Sequence, residues 1–257
     1  MVLPSRPIML LVLVCSGTAT FADFKITVKN SFIGRYKRRA TISGSFLTDH
    51  AHPSPNGIAD DGDMHIAGRC DTVGLPMVAE IMMAADFPDA LAAVHLLEGT
   101  GMRAPITGVW RLWFEHPGGI QVQGNTVPVP HNTNPDHVFE IHPVTSFNGV
   151  SVLDSFKPIK RGDKEFKYKV AKKAFDALER TAFEIITHKT TTDMISSKVG
   201  NNYIRFKIKK LEEKVFDVVD GAVVFASCLD LQGQQLLRKR RLVLVKGTEP
   251  ERVIRDL

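Results

Sequence analysis

Phe87-Pro88-Asp89-Ala90-Leu91-Ala92-Ala93-Val94-His95-Leu96-Leu97 is where the chain changes its period. Ala90, Leu91, Val94 and Leu97 recur at helical spacing, Pro88 stands where a first turn tolerates a missing N–H, and Gly99 and Gly101 follow where a helix stops. A helix is predicted here. On both sides the spacing is that of strands. Arg38–Leu47, Met64–Arg69 and Met77–Met82 precede it, and Ile106–His116 and His137–Val144 follow, all carrying alternating, β-branched or aromatic residues. His50–Asp61, with Pro53, Pro55 and Gly57, reads as a loop.

Three strands, a helix and two strands is the element order of an OB-like Greek-key barrel, a small sheet closed on itself. An open sandwich has the same order. The expected fold class is mainly β, α+β overall, with this barrel followed by a second unit.

Charge marks the second unit. From 23 to 155 the chain has 9 basic and 14 acidic residues, and from 156 to 257 it has 23 and 14. Pro158 and Gly162 interrupt the charged stretch at that seam. With 44% hydrophobic residues in 257, a collagenous or wholly disordered chain is excluded. The basic half begins with a predicted helix from Gly162-Asp163, carrying Phe166, Val170, Ala174, Ala177 and Leu178 on one face. Short strands follow at Phe183–Thr187, Met194–Ser197, Tyr203–Lys209, Val223–Leu229 and Leu236–Val245, with Gly200-Asn201-Asn202 among the turns. A helix on an antiparallel meander is expected. Ile204, Phe206 and Ile208 then face the helix, while Arg205, Lys207 and Lys209 face water, and Arg238-Lys239-Arg240-Arg241 adds a second basic row. Such rows attract nucleic acid or an anionic envelope polymer, or simply solvate the surface.

Residues 1–22 read as a signal peptide: Arg6, then the apolar run Ile8–Val14, then Thr20-Phe21-Ala22 as a cleavage site. Export to the periplasm or exterior is the expectation. No later run is long and uncharged enough to span a bilayer. Cleavage leaves Cys70 and Cys228, whose pairing spacing does not decide, and no CxxC is present to suggest a redox or zinc-thiolate site.

Strand alternation turns the barrel motifs into a surface. With Met64, Ile66, Ala79, Ile81, Phe139 and Ile141 inward, Asp63, His65, Arg69, Glu80, Glu140 and His142 point outward. Asp63, His65 and His142 are candidate ligands of a divalent metal, and with Glu80 they form a candidate acid–base site. The competing reading is structural, with Asp61-Gly62-Asp63 as a turn and His142 as a hydrogen-bonded pin. Trp113, on the face opposite Trp110, is a candidate stacking ring or a packing contact. Arg69, Trp113, Glu140, Arg205, Lys207 and Lys209 are therefore the candidate ligand-binding residues.

Asp61-Gly62-Asp63-Met64-His65-Ile66, Met77-Val78-Ala79-Glu80-Ile81, Ile106-Thr107-Gly108-Val109-Trp110 and Glu140-Ile141-His142-Pro143-Val144 together resemble uncharacterised exported or extracellular bacterial proteins. That resemblance implies an OB-like barrel and a secreted location, and no activity. The Asp-Gly-Asp opening also resembles the thermonuclease family, with Asp63 at its calcium-binding position and Arg69 and Arg111 as clamps. Asp71-Thr72 continues into Val73-Gly74 and lacks that family's following acid. The expected function is an exported binding or envelope-interaction protein, non-catalytic and without cofactor; the alternative is a metal-dependent hydrolase of a phosphodiester or other anionic substrate.

Overall fold

The computed structural model describes residues 24–179, 183–197, 203–210 and 214–256. The expected signal peptide and the Gly200-Asn201-Asn202 turn lie outside them.

The described chain opens with β1 (Phe24–Lys29) and a short helix α1 (Asn30–Tyr36). Then come β2 (Ile42–Ala51), β3 (Met64–Cys70), β4 (Met77–Ile81), α2 (Pro88–Leu97), β5 (Arg103–Leu112), β6 (Ile120–Val122), β7 (Phe139–Phe147) and β8 (Val150–Ser151). Antiparallel ladders run in the order β4-β3-β2-β5-β7, and β7 returns to β4 in a parallel pairing with Met77 opposite Phe139 and Ala79 opposite Ile141. The five strands thus close into a barrel, and closure removes the sheet edges that would otherwise template aggregation.

Period-two alternation fills that barrel. Met64, Ile66, Met77, Ala79, Ile81, Ile106, Phe139 and Ile141 are at most 1% exposed. Gly108 lets β5 approach β7: a Cβ there would lie 2.4 Å from Ile141 Cγ2 and 2.7 Å from Pro143 O. Helix α2 starts with Pro88 in its first turn and buries Ala90, Val94 and Leu97, as its spacing predicts. Outside the barrel, Phe32 of α1 meets Trp110 and Phe139 edge-on at 5.5 and 6.0 Å, which extends the core over β1 and α1.

The second half contributes β9 (Lys160–Arg161), β10 (Lys164–Glu165), β11 (Lys169–Val170), α3 (Ala171–Glu179), β12 (Phe183–Thr187) and β13 (Thr191–Ser196). It continues with β14 (Ile204–Arg205), β15 (Lys207–Lys210), β16 (Phe216–Val218), β17 (Gly221–Leu229), β18 (Gln235–Val245) and α4 (Glu249–Asp256). The helix expected from Gly162 begins only at Ala171. Gly162-Asp163 is instead the turn of the β9–β10 hairpin, with Gly162 at φ 57°. Phe166 is drawn out of helical register by ring contacts with Tyr168 and Tyr203 at 5.3 and 5.6 Å.

Hydrogen bonding does not follow the charge seam at Ser155. β1 pairs antiparallel with β13 from Phe24↔Ser196 to Lys29↔Thr191, so the first described strand shares a sheet with β12 and β13. Asp193 secures it, accepting from Thr27 Oγ1 at 2.7 Å and pairing with Lys25 Nζ at 2.6 Å. Asp220 accepts the N–H groups of Ala40 and Thr41 at 2.8 and 2.9 Å. Net charge is blind to strand pairing, which depends on complementary backbone edges.

Cys70 and Cys228 are both free and buried. Among the described residues no helix is long and apolar enough to cross a membrane.

Candidate metal centre

Register places the candidate residues in rows across three barrel strands. His65 lies opposite Glu80 on β3 and β4. On the parallel β4–β7 pair Val78 lies opposite Glu140, so Glu80 and His142, each two residues further on, share the next row. Arg111 of β5 lies opposite Glu140. Their neighbours Ile66, Ala79 and Ile141 occupy the interior, so this is the outer face, as alternation predicts.

Asp63 arrives by a turn. Asp61 Oδ1 accepts the Asp63 N–H and an Asn56 side-chain N–H, both at 3.1 Å, and Gly62 takes φ 77°. The turn reading of Asp61-Gly62 is correct, and the turn delivers Asp63 into the cluster.

The outer face is not open to solvent. Asp63, Glu80, Glu140 and His142 are 0, 3, 1 and 4% exposed. Tyr203 covers them: its hydroxyl donates to Asp63 Oδ2 and lies 2.6 Å from His142 Nε2. The ring is held by Phe166 and by the small apolar cluster of Ile58, Met83 and Ile159. His52 stacks on His65 with centroids 4.9 Å apart and screens that side.

Around His142 the demands conflict. Glu80 Oε2 lies 2.7 Å from Nδ1 and calls for a proton on it, while Arg111 Nη2, a donor only, lies 2.8 Å from the same nitrogen. Burial by itself lowers the basicity of His142, but the carboxylates of Glu80 and Glu140 outweigh it and push the pKa up to about 9. Burial raises Asp63 to about 8 against the attraction of His142. Burial would raise Glu80 too, yet the charge and hydrogen bond of His142 hold it below the usual carboxylate range. Glu140 is likewise held low despite burial, through His137 at 3.2 Å and Arg111 at 2.6 Å.

Asp63 Oδ1 and both ring nitrogens of His65 are buried without a hydrogen-bond partner, and Glu80 Oε2 has only His142 Nδ1, which Arg111 contests. An unpaired buried polar atom costs about 1–3 kcal/mol, and a cation would satisfy Asp63 Oδ1 and the His65 nitrogen that carries no proton. Asp63, Glu80 and His142 each offer a ligand atom, and these atoms lie within 4.8 Å of one another. Mixed carboxylate and imidazole ligands of this kind suit a divalent metal. His65 Nε2, 3.8 Å from Glu80 Oε2, flanks the set.

Other candidates lie elsewhere. Arg69 is engaged by Asp49 through two bonds of 2.9 and 2.7 Å and is no open clamp. Trp113 is half-buried beneath the Arg111 guanidinium, 4.3 Å from its centroid. The row expected from Arg205, Lys207 and Lys209 is broken: Arg205 pairs with Glu165 and stacks on Tyr168 in one small sheet, while Lys207 and Lys209 belong to another. Ile204 and Ile208, expected against a helix, are 37 and 40% exposed. His137, not among the candidates, is 1% exposed and bonded to Glu140; its spacing of three residues from Glu140 was the available signal. Tyr203 had none.

Comparison with protein-family models, with curated proteins and with solved structures yields no match to this chain.

Proposed function

We propose that this chain is a divalent-metal protein whose ion is held by Asp63, Glu80 and His142, and that it hydrolyses a phosphodiester or another anionic substrate. The observation that carries the reading is the buried convergence of Asp63, Glu80 and His142, whose ligand atoms lie within 4.8 Å of one another and of which Asp63 Oδ1 has no partner. A metal there satisfies them, polarises a phosphoryl or acyl oxygen and lowers the pKa of a bound water. Arg111, 23% exposed at its side chain and so more open than the ligands, places positive charge beside the ion where an anionic group would dock. Tyr203 has to leave Asp63 for substrate to enter.

The burial of all three ligands favours a second reading, in which the ion is structural and ties β3, β4 and β7 to the segment bearing Tyr203. One experiment separates the two. Thermal unfolding in chelator, zinc, manganese or calcium reports binding, and release of nitrophenolate from bis(p-nitrophenyl) phosphate reports hydrolysis. A metal-dependent rise in Tm with turnover supports the hydrolase, a rise without turnover supports the structural ion, and no rise removes both.

Two wider readings belong to the same proposal. The barrel is of OB type, supported by the helix between its third and fourth strands and by the parallel closure of third on fifth. The protein is exported, supported by Arg6, the apolar run and the Thr20-Phe21-Ala22 junction. N-terminal sequencing of the native protein tests export, and a start at Asp23 is expected.

A further inference from the structure

The sheet of β15, β17, β16 and β18 carries an aromatic and basic face that the metal site does not use. Its register fixes which residues share that face. On β17, Phe225, Ser227 and Leu229 point the same way; Lys209 lies opposite Ser227, Lys207 opposite Leu229 and Arg241 opposite Phe225. Phe216 of β16 lies opposite Val223 and joins the same side. The β17–β18 ladder shifts register next to Ala226, and Lys239 takes φ 48° there. This bulge brings the Lys239 ammonium to 5.8 Å from the Phe225 centroid. Lys214 stands 5.6 Å from the Phe216 centroid.

Two phenyl rings thus meet edge to face at 6.1 Å in the middle of a cationic rim. Phe216 is 37% exposed and Phe225 half-buried, while Lys207, Lys209, Lys214, Lys239 and Arg241 are exposed. Among the described residues, Lys207, Lys209, Lys214 and Arg241 have no carboxylate within ion-pairing distance. Apolar rings among these four cations are poor solvation design, since a merely solubilising face needs no phenylalanine. They match a ligand that is anionic at regular intervals and has flat apolar surfaces between the charges.

We infer that this face binds single-stranded nucleic acid, with bases stacked on Phe216 and Phe225 and phosphates neutralised by Lys207, Lys209, Lys214 and Arg241. Duplex DNA hides its base faces, and a polyanion without bases gains nothing from the rings. The inference is independent of the metal centre.

The test uses the full chain in chelator, so that failure of the metal reading leaves it untouched. Fluorescence anisotropy with labelled oligothymidylate is measured at two salt concentrations, with inorganic polyphosphate as competitor. Phe216→Ala and the more conservative Phe225→Leu should each weaken binding about 5- to 100-fold while leaving the salt slope unchanged. Lys207→Ala and Arg241→Ala should each weaken it and lower the salt slope by about 1. Circular dichroism and melting temperature verify that each variant folds. Absence of binding at low salt overturns the inference. Binding that is indifferent to both phenylalanine variants and fully displaced by polyphosphate also overturns it, and marks a charge-only surface.

Discussion

The phenolic oxygen of Tyr203 lies 2.6 Å from Nε2 of His142, although 61 positions separate the two residues. The same hydroxyl donates to Asp63 Oδ2, so it accepts from His142 Nε2–H and relays one buried group to another. A segment from the basic half of the chain therefore completes a polar cluster built on three barrel strands. Burial and the Asp63 carboxylate raise the Tyr203 pKa, which keeps the hydroxyl protonated as that relay requires.

Tyr203→Phe keeps the ring and removes the bridge. Asp63 Oδ2 and His142 Nε2 are then left without it in a site closed to water, and the expected cost is about 1–3 kcal/mol. Urea unfolding in chelator measures it. Unchanged stability would show that the bridge contributes nothing in solution.

The metal-free protein should lose stability as pH rises. Asp63 and His142 have folded pKa values of about 8 and about 9, above their ordinary values of 3.8 and 6.5. The folded state then binds more protons than the unfolded one, so the Asp63 contribution is lost between 3.8 and about 8, and that of His142 between 6.5 and about 9. Glu80 and Glu140 are held below their ordinary 4.5 and act in the other direction, removing stability as pH falls beneath that value. Melting in chelator at pH 6.5 and pH 9 should give the lower Tm at pH 9, and His142→Gln should flatten the difference. A metal ion competes with these protons, so its affinity should rise across the same window.

Glu80→Gln removes a ligand and the carboxylate closest to His142 Nδ1. Metal affinity should fall by more than about 100-fold, because outer-sphere partners alone are worth 10–100-fold. Competition with a chromophoric chelator reads this directly. An affinity equal to that of the unaltered chain would place the ion elsewhere.

Asp220→Ala tests the tie between the two halves. Its carboxylate accepts from the N–H groups of Ala40 and Thr41 and from the Thr41 hydroxyl at 2.7 Å. Burial acts to raise its pKa, but these donors lower it below the usual range, so its stabilisation is present above pH 3.8 and lost on acidification. About 1–2 kcal/mol is expected at neutral pH for a half-buried group of this kind, with the difference from wild type shrinking in acid. A constant difference across that pH range would exclude the ionised carboxylate as the cause.

Local pattern determined much of this protein. The spacing of Ala90, Val94 and Leu97 specifies α2, because a helix presents every third or fourth residue to one neighbour. The alternation through Met64–Ile66, Met77–Ile81 and Phe139–Ile141 specifies which side chains enter the barrel and therefore that His65, Glu80, Glu140 and His142 share its outer face. Asp61-Gly62 specifies its own turn through positive φ at Gly62 and a short-range carboxylate bond. Each of these depends on residues only a few positions apart. What lies over that outer face was decided by the tertiary structure alone: Tyr203 on His142, His52 on His65 and β13 on β1 are contacts between distant residues, set by the path of the chain. The same limit explains the helix expected from Gly162, where aromatic contacts of Phe166 with Tyr168 and Tyr203 override the apolar spacing. It explains, too, why Asp63, His65, Glu80, Glu140 and His142, read as an outward set, fold into a buried centre while Arg69 stays apart: alternation gives the direction of a side chain, and only packing from elsewhere in the chain determines whether water remains there.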